Sequence, residues 1–315
     1  MLMKQLIEIF DLLDRPDANG AAVCDYFKAL NPDVQVEVKP LVTDKGKTDF
    51  VRITVVGTEG KISGGKAPTL GILGRLGGIG ARPDQIGYVS DGDGAWTALS
   101  AAAKLADMAA KGERLPGDVV ICTHICPDAP TRPHDPVPFM DSPVGTPAVN
   151  AQEVRGDLDA ILSIDTTKGN RIINTRGFAI SPTVKEGYIM RVSEDLLDLM
   201  QNATGRLPKV FAITMQDISP YGNGSYHLNS IMQPCTATAA PVVGVAITTQ
   251  TVVAGCATGA SHTADVEEAA IFAVETAKAF GRGKCQFYDE EQFALMKRLY
   301  GDMSILQTQG KQQNG

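Results

Sequence analysis

The sequence predicts an α/β protein: three layers, α/β/α, around a central mixed, mostly parallel sheet. Three observations carry this. Apolar runs of strand length recur at residues 69–73, 118–122, 159–165 and 242–248. Segments with helical spacing or helix-length apolar content alternate with them, above all 95–106 and 264–280; such alternation is the mark of strands joined by crossover helices. The strand-like runs also end in polar or Gly-rich turns, where open α/β sheets gather their ligands. One domain over residues 1–306 is expected, with a flexible polar tail at 307–315.

Taken in order, Leu6, Ile9, Phe10 and Leu13 fall at helical spacing, Asn19-Gly20 ends that helix, and 21–30 reads as a second. Residues 34–38 and 50–56 alternate apolar and polar about the turn Asp44-Lys45-Gly46, as a hairpin does. The strand at 69–73 runs into Gly74-Arg75-Leu76-Gly77-Gly78-Ile79-Gly80, which is glycine-rich but lacks the Lys-Ser/Thr end of a phosphate loop. Asp91-Gly92-Asp93-Gly94 then opens a helix that is apolar or small on every face, and such a helix is buried. The strand at 118–122 ends in Thr123-His124-Ile125-Cys126-Pro127-Asp128. Seven prolines from Pro127 to Pro147 predict an ordered but irregular loop that lines a site. The strand at 159–165 ends in a carboxylate, Ser193 caps a helix over 193–200, 210–214 reads as a strand, and a Gly/Ser/Thr turn at 255–261 precedes the closing helix.

Bulk properties narrow the function. A net charge of −7 and a pI near 5.2 argue against nucleic acid or an anionic membrane as partner. No apolar run approaches the roughly 18–20 residues of a membrane span. The N-terminal stretch reads as an amphipathic helix and not as a signal peptide. Six scattered cysteines in 315 residues suit a reduced, cytoplasmic protein. The expected partner is a small-molecule substrate.

Candidate chemistry collects at the strand ends. Asp91, Asp93, His124, Cys126, Asp128, Asp165 and His262 are close to one rim by this reading. Arg75 beside its glycines suits a carboxylate or phosphate. His134 sits in the Pro-rich loop, and Lys168, Asn223 and His227 lie in polar exit loops fit to meet a substrate. Each has a plainer alternative: a helix cap for Asp91 or Asp93, a core imidazole for His124, a small buried side chain for Cys126, a solvated loop residue for Asn223.

The runs TLGILGRLGGIGARP, THICPDAPTRPHDPVPFM, SIDTTKGNRIIN, FAISPTVKEGYI and QDISPYGNG closely resemble a bacterial and archaeal domain family of unknown function over nearly the whole chain. More distantly, the order of parts resembles the co-catalytic zinc aminopeptidases and carboxypeptidases. That resemblance implies a zinc-peptidase-like fold, a homo-oligomer, and Asp91, Asp165 and His262 as ligands of zinc or another divalent metal. It also shows departures. Arg75-Leu76-Gly77 stands where the family has His-x-Asp, and Cys126-Pro127 where it has Glu-Glu. His124, Cys126, Asp93 or Asp128 would have to rebuild the site around a single metal.

Three functions follow as expectations. The first is a metal-dependent hydrolase of a small amide or peptide-like substrate, with Asp128 or Asp93 as base and Arg75 clamping a substrate carboxylate. The second is a metal-free enzyme with Cys126 as nucleophile, partnered by His124 or His134. The third is a non-catalytic ligand-binding member of the fold.

Overall fold

The computed structural model describes residues 2–75, 78–82, 84–225 and 230–310. Two amphipathic helices, α1 (Met3–Leu13) and α2 (Gly20–Leu30), come first. Asn19 caps α2 by accepting from Ala22 N. The hairpin follows as β1 (Gln35–Thr43) and β2 (Gly46–Val55), then β3 (Leu70–Gly74), α3 (Asp93–Ala110) and β4 (Val119–Ile125). The Pro-rich segment holds a two-residue ladder, β5 (Thr131–Arg132) with β6 (Phe139–Met140), and leads into α4 (Thr146–Glu153). After β7 (Ala160–Thr166) come the short strands β8 (Gly177–Ile180), β9 (Val184–Lys185) and β10 (Tyr188–Ile189), then α5 (Glu194–Thr204), β11 (Val242–Thr248), α6 (Thr263–Gly281) and α7 (Glu290–Tyr300).

Nine strands form one mixed sheet in the order β1-β2-β4-β3-β7-β11-β9-β10, with β8 also on β11. Its centre, β4-β3-β7-β11, is parallel, and the flanking strands join antiparallel. The parallel strands are buried along their whole length, which explains why they read as continuous apolar runs. Alternate side chains supply two cores, because successive residues of a strand face opposite ways. Ile72, Ile121, Leu162, Ile164, Val243 and Val245 pack under α1, α2, α3, α5 and α6. Leu73, Val120, Cys122, Ile161, Val242 and Ala246 pack on the other face with Phe211, Ile218, Ile231 and Met232.

Two glycines let α3 start hard against the sheet. A Cβ on Gly94 would lie 2.6 Å from Arg75 O and 2.7 Å from Ile164 O, and one on Gly74 would lie 2.6 Å from Gly94 O. The first turn of α3 therefore sits directly on the ends of β3 and β7.

The structure departs from sequence expectation in four places. The Pro-rich segment is not wholly irregular, because Thr131 and Arg132 find partners across it. Residues 210–214 make one bridge, Ile180 to Val210, and no strand. The β8–β10 strands were not anticipated, since runs of two to four residues carry no periodicity, and neither was the helix α7. Position 307 is not part of a free tail: the Gln307 amide donates to Cys235 O at 2.8 Å and Thr238 O at 2.5 Å.

Candidate functional site

The site is built where β3 and β7 end. Arg75 N donates to Ile164 O at 2.7 Å, which laces the residue leaving β3 to the end of β7. A cavity of about 750 Å³ opens there. Buried Arg75, Asp165 and Thr166, with Asp91, form its inner wall. The Pro-rich loop forms the outer wall with Arg132, His134, Phe139 and Asp141, and the start of α4 adds Thr146 and Val149.

The inner wall is acidic and fixed. Asp91 sits in a 3-10 turn, Ser90–Gly92, just before α3. Its N–H donates to Cys256 O at 3.0 Å, Ser90 N donates to Thr258 O at 2.7 Å, and its Oδ2 accepts from Gly78 N at 3.3 Å. Asp165 Oδ1 accepts from Thr166 N at 2.8 Å. Beside it the Thr166 hydroxyl is buried and has no hydrogen-bond partner among the described residues. A buried hydroxyl without a partner is costly, so an unpaired one on a cavity wall marks a place for a ligand or water. Burial, with Asp91 and Asp165 nearby, pushes the Cys256 thiol up.

Arg75 is held from behind. Its Nη1 donates to Glu153 Oε2 at 2.9 Å and to Asn150 Oδ1 at 3.1 Å. Asn150 and Glu153 are three residues apart on α4, hence on one helix face. Glu153 Oε1 also faces His124 Nδ1 at 3.4 Å. This pairing occupies Nη1 and anchors the guanidinium against α4.

In the outer wall, His134 Nδ1 lies 3.3 Å from Val137 O. A carbonyl only accepts, so Nδ1 carries the proton and Nε2 is the basic nitrogen. Arg132 contacts Asp141 Oδ2 through Nη2 at 2.6 Å and Nε at 3.0 Å.

The structure thus brings Arg75, Asp91, His134 and Asp165 to one cavity and leaves the other candidates elsewhere. Asp93 and Lys168 are spent on each other: Lys168 Nζ lies 2.8 Å from Asp93 Oδ2, both are buried, and Ser261 donates to Asp93 Oδ1. Burial pushes the Asp93 carboxyl up against the opposing pull of Lys168 and Ser261. Cys126 is closed into a small apolar cluster with Ala81, Val89, Ala129 and Met140. Its thiol is pushed up to about 12, chiefly by burial, which removes it as a nucleophile near neutral pH. His124 lies inside β4, wholly buried against Glu153 and the Phe50 ring. Asp128 is exposed outside the cavity wall. His262 is the exposed N-cap of α6 and makes no capping bond. Asn223 Oδ1 accepts from Ser225 N in a loop turn away from the lining. His227 lies outside the described residues.

Glu153, Asn150 and Arg132 were not among the candidates read from the sequence, and Asp141 entered only as acidic content of the site-lining loop. The spacing of Asn150 and Glu153 was a usable signal only once α4 was known to be a helix.

The resemblance in the order of parts to zinc peptidases implies a divalent cation. Asp91 and Asp165 are hard oxygen donors that suit such an ion. A catalytic zinc site needs about three protein ligands, and among the described residues no three His, Cys, Asp or Glu side chains come together to hold one. Asp91 and Asp165 are therefore a partial donor set.

Solved structures share this architecture. The bottromycin maturation enzyme BotP matches at 16% identity with a TM-score of 0.54, covering 90% of this chain and 70% of that one. BotP in complex with Mn matches at 13% identity and the same TM-score, over 89% and 70%. An Acidobacteriales bacterium glutaminyl cyclase matches at 16% identity with a TM-score of 0.47, over 84% and 85%. At these identities the likeness to BotP speaks for the fold, which is zinc-peptidase-like. No curated protein matches by sequence. No helix among the described residues is long and apolar enough to cross a membrane. A family model described as "Protein of unknown function (DUF1177)" matches residues 39–310, and the chain belongs to that family.

Proposed function

We propose that the chain is a metal-dependent hydrolase of a small amide or peptide-like substrate. The observation that carries this reading is the pairing of Asp91 and Asp165 on the inner wall of one cavity, beside an unpartnered Thr166 hydroxyl, at the carboxyl ends of parallel strands. Asp91 and Asp165 would be the carboxylate ligands; a bound divalent ion polarises a carbonyl and makes water acidic. The chain's own groups do the rest. His134, which lines the same cavity, would serve as the base that takes a proton from the attacking water and returns it to the leaving amine. Arg75, immobilised by Glu153 and Asn150, shapes the wall beside Asp165 and offers a fixed positive charge there. The apolar Val137, Phe139 and Val149 line the rest of the cavity and would meet an apolar group of the substrate.

The test is turnover of N-acyl amino acids and dipeptides by the manganese- or zinc-supplemented protein and by two variants. His134→Gln should lower kcat by roughly 10²–10⁴-fold with KM little changed. Asp165→Asn should abolish turnover. A His134→Gln enzyme as fast as the parent would remove His134 from the mechanism, and a parent without turnover on any of these amides would overturn the hydrolase reading.

A further inference from the structure

Two arginines line the cavity, and they differ in how firmly their partners hold them. The Arg75 side chain is 7% exposed and its partner Glu153 1%; for Arg132 and Asp141 the figures are 61% and 21%. Parting a buried pair leaves an uncompensated charge out of water, whereas an exposed pair is weakly held and exchanges partners easily. An incoming carboxylate therefore cannot displace Glu153, but it can share or displace Asp141.

The charges at the mouth point the same way. Asp141 serves two cations: Arg132 at 2.6 Å and Lys45 at 3.5 Å. Its Oδ1 is further engaged by Ser142 N at 2.9 Å. Two cations around one carboxylate leave a positive charge in excess. Asp141 meets the Nε–Nη2 edge of the guanidinium; the Nη1–Nη2 edge is the second one through which arginine binds a carboxylate bidentately. Phe139, the cross-strand partner of Arg132, is exposed and lines the same cavity with Val137 and Pro138. The inner wall, with Asp91 and Asp165, repels an anion unless a cation covers it.

We infer that Arg132 is the carboxylate receptor of this site, and that the ligand is a small amide bearing a free carboxylate next to an apolar group. Such a ligand lies with its carboxylate at the mouth on Arg132, its apolar group on Phe139 and its amide toward Asp165. N-acylated apolar amino acids and short peptides with a free C-terminus have this pattern. The inference rests on the hydrolase reading for the amide end but is tested apart from it.

The experiment is calorimetric titration of the full chain with N-acetylphenylalanine and with N-acetylphenylalaninamide, which differ only in the carboxylate. The parent protein is expected to bind the acid at least about ten-fold more tightly than the amide. Arg132→Met should cut that preference below about two-fold, leave affinity for the amide unchanged and leave the urea midpoint where it was, since Arg132 is exposed. Asp141→Asn should tighten the acid by a few-fold. A preference that survives Arg132→Met, a preference lost only in Arg75→Met, or a parent protein that binds neither probe or both equally would overturn the assignment. Because binding and not turnover is read, a protein that hydrolyses nothing can still pass, and an active hydrolase indifferent to the carboxylate fails.

Discussion

Arg75 Nη1 and Glu153 Oε2 stand 2.9 Å apart with both side chains almost wholly out of water. Glu153 also meets the buried His124, so one carboxylate of α4 ties the end of β3 to β4 behind the cavity. Glu153→Gln would leave Arg75 buried without its counter-ion. The expected loss of stability is about 3–5 kcal/mol, read as a lower urea midpoint. Following it with Arg75→Met should recover part of the loss. A single-variant loss under about 1 kcal/mol would mean that the pair is better hydrated than its burial implies.

A second buried pair makes a parallel prediction. Lys168→Met would strand the Asp93 carboxylate at the start of α3 with Ser261 as its remaining side-chain donor among the described residues. A loss of about 3–5 kcal/mol is expected. The double variant Asp93→Asn with Lys168→Met should lose clearly less, because no charge is then left unpaired. If the double variant were as unstable as the single one, packing and not charge would be the cause.

The cysteines predict an alkaline weakness. Burial pushes Cys122, Cys126 and Cys285 up to about 12 in the folded chain. Above roughly pH 9 the unfolded chain releases these protons and the folded chain keeps them, so stability is full below that pH and falls as pH rises toward 12. Each thiol should cost roughly 1 kcal/mol of stability by pH 10. Urea midpoints measured at pH 8 and pH 10 should show the drop, and Cys126→Ala should shrink it. The same burial leaves only about one Cys126 in ten thousand as thiolate at pH 8. Rapid alkylation of native Cys126 at that pH would contradict the closed cluster around it.

Much of this architecture is legible in the sequence because burial writes itself into residue type. The runs at 69–73, 159–165 and 242–248 are strands covered on both faces, and the small apolar residues after Asp93 are a helix with sheet on one side and helices on the other. Asp165 lies near the end of β7, where a strand fixes the position of its side chain, and Asp91, in the turn before α3, lines the same cavity. Strand-end position could not say where His262 or Lys168 would point, because they follow loops whose path is set by tertiary contacts. Asp93 looked like a site acid for the same reason that Asp91 did; two residues along a starting helix turn the side chain away from the cavity and onto Lys168. The pairing of Arg132 with Asp141 was invisible because eight residues of Pro-rich loop separate partners that the β5–β6 ladder brings together.

In the proposed function Asp91 and Asp165 together hold a divalent cation. Calorimetric titration of the metal-stripped chain with Mn²⁺, and in parallel with Zn²⁺, tests it most directly, with Asp165→Asn and Asp91→Asn alongside. The predicted result is saturable binding of one of these ions by the parent protein and at least about a ten-fold loss of affinity in each variant. Equal affinity in parent and variants, or no binding of either ion by a folded parent, would contradict a cation site at Asp91 and Asp165.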